Sequence, residues 1–380
     1  MIGLRRRRAR RGPGCLPLLL AVALVVGVYY GVTSARCPAP ADHGAGGAAA
    51  AAAGPVGPFA DPALAPSVRE EASTYLTFPE WYIVYSAQDY SAALANAPPS
   101  AYPYWPSVGQ YWCSYHVVAQ WAQRRYPFSF DNHLMLAVIG VSYTGEYGLK
   151  GLYEATVGRA TEWLSAGGDT DEDRFNARLW RDYGASLDEE VWYDFPFWDR
   201  LGALWRETSL WGPHPIRKWE RKLVLSAEYA VKSGYAWLIG TAARSMYSDY
   251  DETTLTWTDT LPPGTAVAGA RSVRSVDSSS ELVALPRFRE FDRAVVGLAR
   301  AGVRFRAFAG NDEVLLTAIA PAAWIVGRVE GEGAQLLFEQ AALTDASLKR
   351  IALNVPVAAL HRVLPALEAE GVRLEHLYDY

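Results

Sequence analysis

The hydrophobic and polar positions divide the chain into stretches of different period. Residues 15–34, "CLPLLLAVALVVGVYYGVTS", carry no charge over twenty positions. At about 1.5 Å per residue, a helix of that length spans a hydrocarbon core of roughly 30 Å. The pattern predicts a transmembrane helix, with the run "RRRRARR" at 5–11 holding its N-terminal side in the cytoplasm. A cleaved signal peptide fits less well, because the apolar run is long and "YYGVTS" makes a poor cleavage site. Residues 38–66 are rich in Ala, Gly and Pro with few large apolar side chains, as in a flexible tether. From 68 to 250 apolar positions recur at helical spacing. After 251, β-branched alternation and turn residues take over.

These periods predict five segments: a cytoplasmic basic segment (1–14), a transmembrane helix (15–34), a linker (35–67), an all-α aromatic-rich domain (68–250) and an α+β domain (251–380). Within the helical part, Pro79 and Pro215 suit first-turn positions. Ser107 and Asp131 are candidate N-caps, and Thr170 with Asp173 reads as a capping box. Gly167 is a natural helix stop. The last segment contains an internal echo. Residues 281–310 and 350–380 each read strand, helix, Gly-Val-Arg, strand, with the glycine at 302 and 371. Two βαβ units joined by further strands, "DEVLLTAIAP" and "AQLLFEQAAL", predict a ferredoxin-like sandwich. That fold names no function.

Composition adds a place and removes several chemistries. Fourteen Trp and 22 Tyr are a heavy load of rings that suit a core, a membrane interface or a glycan-facing surface. A net charge of −5 without a basic stripe in the folded part argues against nucleic acid. The cysteines, Cys15, Cys37 and Cys113, have no metal-ligand spacing, although Cys37 and Cys113 could pair in an oxidising compartment. No nucleotide, nucleophile-elbow or zincin motif is present, so no cofactor or metal is expected. His116 and His133 read as core or cap-adjacent histidines.

The candidate polar chemistry lies in "YTGEYGLKGLYE" (143–154) and its echo "SAEYAVKSGYAW" (226–237). Residues four apart share a helix face, which groups Glu146, Lys150 and Glu154, and pairs Glu228 with Lys232. Both groups are set in apolar sequence, and Tyr147, Tyr153, Tyr229 and Tyr235 stand nearby to satisfy them. Three arrangements fit: a cross-helix ion-pair network fixing register, a polar pocket for a small molecule or lipid headgroup, or further membrane spans at 134–152 and 223–241. In the last, "RKWERK" at 217–222 would face the cytoplasm. The reading as a whole is an inner-membrane-anchored bacterial envelope protein, body extracytoplasmic, that binds or scaffolds a lipid, glycan or protein partner without catalysis. The alternatives are an envelope enzyme with Glu146 or Glu228 as acid or base and Lys150 or Lys232 beside it, and a multi-span transporter component.

Overall fold

The computed structural model describes residues 55–70, 72–187, 191–246, 253–262, 267–287 and 289–379. The basic segment, the predicted transmembrane helix and most of the linker lie outside these residues.

The helical domain opens with the short α1 (Ser73–Leu76) and α2 (Phe78–Leu94), with Pro79 in its first turn. Next come α3 (Tyr104–Arg125) and α4 (Phe130–Tyr153). Ser107 is not the cap of α3, which begins three residues earlier; its buried hydroxyl bonds Tyr143 at 2.6 Å instead. A single π turn, Glu154–Gly158, joins α4 to α5 (Arg159–Leu164), and Gly167 follows at φ 75°. The predicted capping box opens α6 (Asp171–Ser186): Asp173 N–H donates to Thr170 Oγ1, and Asp173 Oδ2 accepts from Thr170 N–H. After α7 (Phe197–Glu207), Pro215 starts α8 (Pro215–Met246). The core between these helices is aromatic, with Tyr82, Tyr90, Tyr111, Trp112, Tyr143, Tyr147, Trp180 and Tyr229 all buried. Cys113 on α3 is disulfide-bonded; its partner lies outside the described residues.

The C-terminal domain holds two four-stranded antiparallel sheets. The first contains β1 (Thr253–Asp259), β2 (Arg271–Asp277), β3 (Ser280–Pro286) and, after α9 (Arg289–Arg300), β4 (Phe305–Phe308), in the order β2-β3-β1-β4. The second contains β5 (Glu313–Pro321), β6 (Gln335–Ala341), β7 (Leu348–Pro356) and β8 (Arg373–Leu377) in the order β6-β7-β5-β8. The short α10 (Gly327–Glu330) lies between β5 and β6, and α11 (Leu360–Ala369) between β7 and β8. The same topology therefore occurs twice. The two βαβ units are present, with Gly302 and Gly371 at φ 78° and 73° closing the helices. Each unit is split by a central antiparallel strand, and the two belong to separate sheets rather than to one ferredoxin-like sheet. The sequence echo marks the repeat but not its strand partners, since pairing is a non-local choice.

One apolar core joins the inner faces of both sheets with α9 and α11. The far side of the first sheet is covered by residues 55–68: Phe59 is buried against Leu282 and Ala307, and Val56 N–H donates to Gly310 O at 3.1 Å. This end of the predicted tether is folded because its few apolar residues find an open sheet face. The far side of the second sheet meets the helical domain. Phe78 packs on Phe338, and Trp81 lies over the His376 ring at 4.0 Å.

Candidate functional site

The two echoed stretches face each other on antiparallel helices. Lys232 donates to Glu146 at 2.6 Å and Lys150 to Glu228 at 2.8 Å. A Glu-x-x-x-Lys pattern reads as its own complement when its partner runs the other way, so the repeat pairs reciprocally. Residues 146 and 232, and 150 and 228, each sum to the same register, which places α4 and α8 in one alignment.

Aromatic rings complete both ammonium sites. Lys150 Nζ lies 4.2 Å from the Tyr90 centroid and 4.5 Å from Trp180. Lys232 Nζ lies 5.2 Å from Trp180 and 5.6 Å from Phe197. Such faces attract a desolvated cation and add to the carboxylate. Burial alone would lower both ammoniums, but the neighbouring glutamates hold them above the ordinary lysine value. Burial pushes the Glu146 carboxyl up, and Lys232 outweighs it, leaving that carboxyl low.

The tyrosines go elsewhere. Tyr147 OH donates to Ser86 O, Tyr229 OH to Asn176, and Tyr153 OH to Glu220. Tyr235 is partly exposed and stacks on Trp192. Among the described residues none of the four is hydrogen-bonded to Glu146, Lys150, Glu228 or Lys232.

Glu154 joins a second, deeper cluster. Its Oε1 accepts from Arg221 at 2.7 Å, while Oε2 is buried without a hydrogen-bond partner. Burial raises this carboxyl, and Arg221 only partly offsets it. The π turn admits the arrangement. Its Gly158 carbonyl accepts from Arg217 at 2.9 Å, and a Cβ on Gly158 would lie 2.2 Å from Glu154 Oε2. Arg217 also pairs with Asp173, and Glu172 accepts from Lys218 at 3.0 Å and pairs with Lys222 at 3.1 Å. Carboxylates at the start of α6 are favoured by the helix dipole. They offset Arg217 and Lys218, which the dipole opposes in the first turn of α8, and Lys222 one turn on, while Arg221 is met by Glu154 and Glu220.

This cluster was hidden in the sequence, where "RKWERK" resembles an interfacial basic run. The signal was the spacing. Arg217 with Arg221, and Lys218 with Lys222, lie on the face that continues into Leu225 and Tyr229, and all six are buried. The opposite face is apolar and exposed: Ile216, Leu223, Ala227, Val231 and Leu238. None of the charged residues of α8 from Arg217 to Lys232 is exposed. On α4 the exposed stripe is Leu134, Val138, Val141, Leu149 and Leu152. Trp163, Trp198, Trp211 and Trp237 are each more than two-thirds exposed.

Two surface clefts lie on the helical domain, and none of Glu146, Lys150, Glu154, Glu228 and Lys232 lines either. The larger, about 420 Å³, lies between Pro98–Ala101 and α5. The other follows the contact of α2 with α6. No His/Cys/Asp/Glu group among the described residues could hold a metal, and no described helix is long and apolar enough to cross a membrane. The further spans considered at 134–152 and 223–241 thus gain no support. No family model matches the chain, and no curated protein or solved structure matches it.

Proposed function

We propose that this is a membrane-anchored, non-catalytic envelope protein whose helical domain rests an apolar face on the lipid bilayer. The observation that carries the reading is the inverted polarity of α4 and α8. The α8 charges from Arg217 to Lys232 are turned inward and paired. On α4, Lys150 is largely buried against Glu228, and Glu146 pairs with Lys232 at the rim, 40% exposed, while Leu, Val and Trp face out. In water such an exposed face is unfavourable and marks an interaction surface. Exposed tryptophans, Trp237 on α8 and Trp163, Trp198 and Trp211 elsewhere in the helical domain, suit the headgroup level of a membrane. The uncharged run 15–34 supplies the anchor in this reading and keeps the bilayer within reach. The Cys113 disulfide agrees with an oxidising, extracytoplasmic compartment. The repeated sheet units, with their ferredoxin-like split crossovers, serve association. An enzymatic role for Glu146 or Glu228 finds no comparable support, because each carboxylate is committed to a lysine.

The run 15–34 contains no tryptophan, so tryptophan fluorescence reports on the body of the protein. In the full chain reconstituted into bilayers with acyl-brominated lipids, strong quenching is expected. Leu149→Lys and Val231→Lys should reduce it. Emission quenched by aqueous iodide but untouched by bromolipid would overturn the reading.

A further inference from the structure

The larger cleft carries a separate chemistry. Arg159, Glu162, Trp163 and Ala166 fall on one face of α5 and the turn after it, and the turn Pro98–Ala101 forms the opposite wall. Ser100 orients both charged groups. Its hydroxyl donates to Glu162 Oε2, and its carbonyl accepts from Arg159 Nη2 at 3.2 Å. Among the described residues the guanidinium and the carboxylate form no ion pair with each other. The cleft therefore holds a cation and an anion side by side, each fixed on the same serine, next to an indole that is 81% exposed. Its volume falls within the roughly 300–1,000 Å³ typical of small-ligand sites.

The complement of such a cleft is a zwitterion. We infer that it binds a phosphoethanolamine- or phosphocholine-type group, with the phosphate on Arg159 and the ammonium between Glu162 and the face of Trp163. A guanidinium suits phosphate oxygens, and an aromatic face beside a carboxylate suits an alkylammonium. Two sources offer this chemistry, a phospholipid headgroup and a free phosphorylated amino alcohol. The headgroup is favoured because Val157, Trp163 and Leu164 are exposed apolar residues on the segment that holds the cleft; that preference rests on the bilayer reading above.

Native mass spectrometry of the full chain in non-ionic detergent tests the site. The chain is titrated with dioleoyl phosphatidylethanolamine, phosphatidylcholine, phosphatidylglycerol and headgroup-free dioleoylglycerol. At least tenfold stronger retention of the two zwitterionic lipids is expected, falling to the level of dioleoylglycerol in Arg159→Gln and Glu162→Gln. These exposed or half-buried substitutions should leave the fold intact, as circular dichroism would show. Free phosphoethanolamine bound as tightly as the lipid would assign the site to the soluble source. Equal retention of all four lipids, or retention unchanged in both variants, would overturn the inference while leaving the bromolipid test unaffected. Zwitterion binding without bromolipid quenching would keep the cleft and reject the seated face.

Discussion

Glu80 shows at the scale of one residue how burial becomes a pH dependence. It sits in the first turn of α2, and desolvation raises its carboxyl from 4.5 to about 7. A carboxyl whose folded value lies above its unfolded value favours the folded state when protonated. Its contribution is complete below pH 4.5 and is lost as pH rises through about 7. The loss is at most about 3.5 kcal/mol, from roughly 1.4 kcal/mol for each pH unit of displacement. Glu80→Gln is neutral throughout and should remove this decline. Urea midpoints at pH 5 and pH 8 measure it: the wild type should lose stability over that interval and the variant markedly less. Identical declines would show that other groups govern the interval.

At the scale of elements, the ion pairs act through the alignment of α4 with α8. Lys150 and Glu228 are 12% and 16% exposed, so the pair is largely removed from water. Glu228→Gln leaves the ammonium among Tyr90 and Trp180 without its counter-charge, at a cost of about 3 kcal/mol. Exchanging the partners, Lys150→Glu with Glu228→Lys, should recover part of that loss. The rings favour a cation at the α4 position, so recovery is incomplete. Chemical denaturation of the three variants checks this, and a double variant no better than Glu228→Gln would mean the pair contributes nothing specific. The sequence offered this pairing as one of three arrangements, and a repeated Glu-x-x-x-Lys, being self-complementary between antiparallel helices, fixes the register once the two helices face each other. Local chemistry was legible: the Thr170–Asp173 cap and the glycines at 302 and 371 are decided within a few residues. The Arg217–Lys222 cluster was not, because its meaning depends on Glu154, Glu172 and Asp173, which lie far away in the chain. The π turn was hidden as well. Nothing local in "EATVG" predicts an extra residue in the turn, and its reason lies in the Glu154–Arg221 contact. In the C-terminal domain β3 to β8 could be read, whereas β1 and β2 showed only as general alternation and the division into two sheets could not be read at all.

At the scale of the whole molecule, the helical domain and the second sheet share a buried polar junction that ties their stabilities together. Thr74 sits at its centre. Its hydroxyl donates to Tyr378 O at 2.6 Å and accepts from Leu315 N–H at 3.0 Å, so one side chain satisfies two backbone groups of the sheet domain. Around it, Tyr75 OH donates to Asn354 at 2.7 Å, and Arg125 pairs with Glu313 at 2.7 Å. Arg350 is held by Glu375 at 2.8 Å, with Asp89 of α2 at 3.9 Å. Separating the domains would expose Phe78, Phe338 and Tyr378 to water along with these groups. The two domains should therefore unfold in a single transition. Thr74→Val keeps the shape but leaves the Tyr378 carbonyl and the Leu315 N–H unpaired in a dry setting. Each orphaned group costs about 1–3 kcal/mol, so a loss of about 2–6 kcal/mol is expected. The decisive observation is where the loss falls. Hydrogen exchange followed by mass spectrometry should show protection falling together in α2, α3 and β5 to β8, although Thr74 itself lies in a four-residue helix. If only peptides around Thr74 lose protection, the junction is a local contact, and the domains are two independently stable bodies.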